Sequence, residues 1–261
     1  MRTFLIDGTN LENAAKGWGV LFDTSPAMPA QQRSAVFSAW GSSRSVVARG
    51  GWEPGSQTLM LIVKGTATAT VEANAAELVG VLSRARELTR VVGSSRLSVG
   101  VQRVAVAEPE RLTNSLWRVS AILSLDPFWS EPSTLTANSR GVPGMVVFPE
   151  WAGSTGDVVD GVLRFRGPFT SVVVVASDGS GLSFDFEATA SQYVFVDVTG
   201  FRAWRGGASA WEPSANRVLL DYPAAGPLVL SPSPDGVQLT VSGDGFGKES
   251  AVVLRGKRWW L

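Results

Sequence analysis

The chain has 261 residues, 44% hydrophobic and 18% charged, and its 23 basic and 23 acidic residues balance to a formal net charge of zero. That describes a globular protein with room for two cores, and it supplies no global basic field to draw in nucleic acid or an anionic membrane. Cysteine and histidine are both absent, which excludes disulfides, thiolate nucleophiles, Ser-His-Asp and Cys-His arrangements and most transition-metal sites.

Any catalysis would have to rest on carboxylates, lysines or the two tyrosines, so the expectation is of a protein that is not an enzyme and uses no metal or cofactor. Met1 to Ile6 runs at once into Asp7 and Gly8, which leaves no apolar core for a signal peptide. The longest aliphatic run, 59–63, has the length of a strand and not of a membrane helix. Arginine outnumbers lysine 19 to 4, as codon bias in a GC-rich genome would produce.

In the first half, 4–7 and 18–22 read as short strands joined by a polar loop. Residues 45–52 and 58–63 read as strands separated by Glu53-Pro54-Gly55-Ser56, which is strong turn chemistry. The spacing of Leu78, Val81, Leu82, Ala85 and Leu88 predicts a helix over 75–90. Asn74 would be its N-cap, with Glu77 completing a capping box. Arg84, Arg86 and Arg90 would complement the dipole at its C-terminal end, and Gly93 would stop it. Residues 97–106 read as a strand whose apolar parity changes midway, which predicts a β-bulge near Gln102-Arg103.

Residues 116–125 alternate, with Trp117, Val119, Ala121, Leu123 and Leu125 on one face and a single lapse at Ile122. Pro127 then removes a backbone donor, so Asp126-Pro127-Phe128-Trp129 ends the strand. Composition changes after Glu131-Pro132-Ser133, and the chain is divided here into domains 1–130 and 131–261. The first is α+β: antiparallel strands with one packed helix.

Beyond Trp129 no helical period stands out. Strands are expected over 158–165, 169–176, 182–188, 193–198, 218–220, 228–230, 237–241 and 251–255, with turn residues between them. Many short strands at that spacing predict an all-β sandwich. Asp185 and Glu187 share one strand face opposite Phe184 and Phe186, the pattern of acids out and apolar residues in. The loops at 178–181 and 243–247 lack the acids of a calcium loop and the Lys-Ser/Thr of a phosphate loop, and read as hairpin turns. Ten tryptophans are many for this length. Trp204, Arg205 and Trp211 flank a Gly-rich loop where an exposed ring would stack on a sugar, and Trp259 and Trp260 end the chain as candidate partner contacts.

Taken together, a mixed first domain, the strand running into Asp126-Pro127-Phe128-Trp129, the strand Tyr193-Val194-Phe195-Val196-Asp197-Val198-Thr199, and the basic-aromatic terminus Arg255-Gly256-Lys257-Arg258-Trp259-Trp260 resemble one family. It is the distal tail proteins of long, non-contractile-tailed bacteriophages, called minor tail proteins in phages of actinobacteria. The resemblance implies a split-barrel-like first domain in a homohexameric ring that joins the tail tube protein to the tail-tip hub protein and peripheral tip proteins, with the tape measure protein as a further partner and DNA only passing through the lumen. It also implies a galectin-like sandwich as second domain, here in a short form without an inserted carbohydrate-binding module. Location would be the virion tail tip, after assembly in the host cytoplasm, with no membrane insertion. On this reading Asp126, Pro127, Phe128 and Trp129 are the domain junction. The alternative is a carbohydrate-binding, receptor-binding tail module using the loop tryptophans; a third possibility is a carboxylate-based wall hydrolase.

Overall fold

The computed structural model describes residues 2–21, 24, 31–38, 45–139 and 141–261, with the backbone alone for 2, 32–38 and 45–51. The chain divides into two compact units, Met1–Ser130 together with Leu261, and Glu131–Trp260.

The first unit contains strands β1 (Arg2–Ile6), β2 (Thr9–Asn10), β3 (Trp18–Val20), β4 (Gln32–Ser38), β5 (Ser45–Trp52), β6 (Gly55–Lys64), helix α1 (Thr68–Ser83), β7 (Glu87–Val92), β8 (Ser95–Val106), β9 (Glu110–Thr113), β10 (Leu116–Leu125) and β11 (Trp129–Ser130). One curled antiparallel sheet runs in the order β2-β1-β7-β8-β10-β6-β3, while β4 and β5 pair separately. Phe22, the last residue of the expected 18–22 strand, lies outside the described residues.

Strand β10 spans the alternating segment and pairs along its whole length with β6, Val119 opposite Leu61 and Ala121 opposite Leu59. Those four residues are buried, while Ile122, the lapse in the pattern, is 56% exposed on the other face. Helix α1 packs against β6, β8 and β10 through Val71, Ala75, Leu78 and Leu82. In β8 the pairing with β10 slips between Arg103 and Val101, leaving Gln102 as the extra residue of the expected bulge.

The helix differs from its expected bounds. It begins at Thr68, with Ala67 as an N-cap that offers no side-chain bond, and it ends at Ser83. Asn74 and Glu77 are therefore mid-helix: the Asn74 carbonyl accepts from Trp18 Nε1 at 3.1 Å, and Glu77 pairs with Lys16 at 2.7 Å. Arg84 is the C-cap. Ala85 and Arg86 lie beyond the helix, and Leu88 and Arg90 belong to β7, where Leu88 faces Val99. Gly93, with φ of 59°, makes the β7–β8 turn instead of stopping a helix. Leu88 happens to fall on the helical face, but the β-branched run that follows it is better satisfied by sheet pairing.

The second unit contains β12 (Leu135–Ser139), β13 (Gly144–Phe148), β14 (Val162–Arg166), β15 (Phe169–Ala176), β16 (Gly181–Ala188), β17 (Tyr193–Asp197), β18 (Arg202–Gly206), β19 (Arg217–Val218), β20 (Pro232–Ser233), β21 (Gly236–Ser242), β22 (Ala251–Gly256) and β23 (Trp259–Trp260), and a 3-10 turn at Pro149–Trp151. One sheet has the order β12-β22-β14-β17-β18-β19; the other has β13-β21-β15-β16 with β20 beside β21. Leu163, Phe165, Val194, Val196, Val252 and Leu254 of the first sheet share one core with Val146, Phe148, Val172, Val174, Phe184 and Leu239 of the second. The expected strand at 158–165 is displaced to Val162–Arg166, and Arg217–Val218 replaces 218–220. Residues 228–230 form no strand; Leu228 and Leu230 are buried as loop residues. An apolar side chain at alternate positions signals burial, and here the backbone satisfies itself outside a ladder.

Candidate functional site

Within the second unit, the outer face of the six-stranded sheet is unusual. Strand β17 alternates so that Val194 and Val196 enter the core while Tyr193, Phe195 and Asp197 point away from it. Phe195 is nevertheless 0% exposed. It stacks on Trp204 of β18, with centroids 5.7 Å apart and planes at 9°, and Trp211 meets it edge-on at 5.4 Å. The loop between β18 and β19 folds back to make this cover. Trp204 Nε1 donates to the Ala210 carbonyl at 2.8 Å, and the Arg164 guanidinium donates to the Ala208 carbonyl. A side chain at Gly206 would meet the Ala210 methyl at 2.4 Å, so the loop can lie flat only over glycine.

The Arg164 and Arg255 guanidiniums lie over the Trp211 ring at 4.9 and 5.3 Å, a pair of cation–π contacts on a partly desolvated ring. Burial holds the Arg164 pKa below its ordinary value, Tyr193 opposes that shift, and Arg166 adds to it. A 510 Å³ cleft flanks this cluster, lined by Trp211, Arg255, Asp160, Asp197, Arg202 and Glu212 among others. In it Asp197 is already occupied: it pairs with Arg202 at 2.6 Å and accepts from Gly200 N at 2.8 Å.

Of the predicted contact residues, Trp204 and Trp211 are brought together and Arg205 is not. Trp204 is 1% exposed, which corrects its expected role, since a buried ring offers no face to a ligand. Arg205 is exposed and reaches the other way, with its guanidinium 5.2 Å over Phe186. Trp259 and Trp260 lie elsewhere and are half-buried. Trp259 Nε1 donates to Asp160 at 2.9 Å, and Arg258 sits 6.0 Å over the Trp260 ring. The Phe195, Arg164 and Arg255 contributions escaped sequence reasoning. The available signal was Val194-Phe195-Val196, apolar at both parities, which marks a strand covered on both faces.

Asp126, Pro127, Phe128 and Trp129 fall in the first unit. Phe128 and Trp129 are buried. Phe128 packs edge-on against Trp52 at 5.4 Å, and Arg90 lies 4.9 Å over Trp129. Asp185 and Glu187 are exposed on β16. Among the described residues no group of three or more acidic side chains is placed to hold a metal ion, and no helix is long and apolar enough to cross a membrane.

The whole chain is similar in fold to the SPP1 Dit (gp 19.1) protein. That crystal structure is described as a paradigm of the hub adsorption apparatus in Gram-positive infecting phages; the likeness has a TM-score of 0.60 at 13% identity and covers 98% of this chain and 99% of that one. The phage P2 baseplate in its activated conformation with Ca aligns over 99% of this chain and 98% of its own, with a TM-score of 0.39 and 11% identity. No family model and no curated protein matches the sequence. Similarity at 13% identity speaks to the fold, so function has to be argued separately.

Proposed function

We propose that this protein is a structural component of a phage tail tip, a distal tail protein. The observation that carries the reading is end-to-end similarity to SPP1 Dit, spanning both units and leaving almost nothing of either chain over. The residue pattern that resembles distal tail proteins supports it independently of the fold. In this reading 1–130 is the split-barrel-like, ring-forming domain, 131–261 is the galectin-like peripheral domain, and Asp126 to Trp129 close the first of them. Six copies repeat one heterologous contact until a ring closes between the tail tube protein and the tail-tip hub protein, with the tape measure protein as a further neighbour. A lumen that passes DNA is best neutral or acidic, because a basic lining would hold the phosphate backbone; a net charge of zero is compatible with that. The site of action is the virion tail tip of a siphovirus, after assembly in host cytoplasm. The excess of arginine over lysine favours a GC-rich host such as an actinobacterium.

The test is oligomeric state and location. Mass photometry of the purified protein, with micrographs of tails carrying a tag on this chain, should give a sixfold ring at the tail end. Monomer alone in solution together with no ring in the tails would remove the reading. The carbohydrate alternative is weaker than the sequence suggests, because Trp204 is buried and Trp211 already carries two guanidiniums over its ring.

A further inference from the structure

A second hollow, of 220 Å³, opens on the same outer sheet face. Arg164 and Arg166 of β14, Tyr193 of β17, Asn138 of β12, and Lys248 and Glu249 from the loop before β22 line it. Among the described residues, three cations against one carboxylate leave this lining at +2. Glu249 is committed to Arg166 at 3.1 Å, and Arg166 also donates from Nε to the Ala190 carbonyl at 3.1 Å. Lys248 is exposed. The Arg164 guanidinium lies over Tyr193 at 5.4 Å and Trp211 at 4.9 Å and donates to the Ala208 carbonyl. Uncompensated positive charge in a concave lining concentrates anions there.

We propose that this hollow is an oxyanion site that takes a phosphate group between Arg164, Arg166 and Lys248, with Asn138 and Tyr193 as neutral donors. The excess charge of +2 matches a phosphomonoester dianion. Cations drawn from a strand and from a separate loop suit a tetrahedral group with several oxygens better than a flat carboxylate. The proposal does not depend on the tail-tip reading, because it rests on the charge and shape of this lining alone.

The full chain is titrated calorimetrically with sodium phosphate, glycerol 3-phosphate and sodium acetate at one ionic strength held with chloride. Both phosphates should bind saturably at one site. Lys248→Gln should weaken that binding about tenfold, the scale of one charge-assisted hydrogen bond. Glu249→Gln should tighten it, because the one carboxylate among the described lining residues is gone. Both positions are exposed, so neither variant threatens the fold, and Asp185→Asn, on the other sheet, is the control that should change nothing. No saturable binding, or equal binding by the wild type and both hollow variants, would mean an adventitious ion only and would overturn the proposal. Acetate binding as tightly as phosphate would overturn the assignment to phosphate.

Discussion

The Asp126 carboxylate fills the space beside Gly100. A methyl carbon at position 100 would lie 1.9 Å from Asp126 Oδ2. The Asp126 backbone N–H donates to the Gly100 carbonyl at 2.9 Å, and Gln102 Nε2 donates to Oδ1 at 2.8 Å. The bulged residue therefore holds the side chain that closes the strand. Gly100→Ala should destabilise the protein by about 1–3 kcal/mol, the usual cost of overpacking. Adding Asp126→Ala should recover part of that loss. Urea unfolding of the four proteins in the cycle measures the coupling; strict additivity would show that the two residues do not meet.

Trp204 and Trp211 should separate sharply. Trp204→Ala removes a fully buried ring that stacks on Phe195, and a loss of about 3–5 kcal/mol is expected. Trp211 is half-exposed and chiefly covers Arg164 and Arg255. Its removal should cost about 1–2 kcal/mol. Thermal unfolding compares them, and equal losses would contradict the burial difference.

The helix start offers a gain. Ala67 has extended dihedrals (φ −143°, ψ 154°) and makes no side-chain cap bond, and its side chain is exposed. Ala67→Asp should accept from the first-turn N–H groups and stabilise by about 0.5–2 kcal/mol. A raised urea midpoint with an unchanged slope is the expected outcome. No gain would place the helix start elsewhere.

Glu131 and Arg258 join the two ends of the second unit. Arg258 donates from Nε at 3.0 Å and approaches through its terminal nitrogen at 2.8 Å, and the Glu131 backbone N–H donates to the Arg258 carbonyl at 3.1 Å. Glu131→Gln should cost about 1 kcal/mol or less at low salt, since both side chains keep some solvent exposure. The difference from wild type should shrink as salt rises through the screening range, which melting curves at two ionic strengths would read.

Strands with one buried face were legible from sequence. The 116–125 strand and the bulge at Gln102 follow from a period of two and its break, which are local properties of the chain. The absence of histidine and cysteine narrowed the chemistry before any fold was known. Helix bounds were less legible. Leu88 and Arg90 fit a helical face as well as they fit β7, and pairing of Leu88 with Val99 settles the matter. Sequence spacing cannot see that partner.

The strand into Asp126, Pro127, Phe128 and Trp129 could be read from alternation and proline chemistry, because both act within a few residues. The cluster around Phe195 could not. Trp204, Trp211, Arg164 and Arg255 lie on different strands and a loop, and their meeting depends on strand order and on the 207–213 segment folding back. Composition and period state which side chains need burial or a counter-charge. Long-range pairing, whose loop-closure cost is repaid only by the assembled sheet, chooses who supplies it.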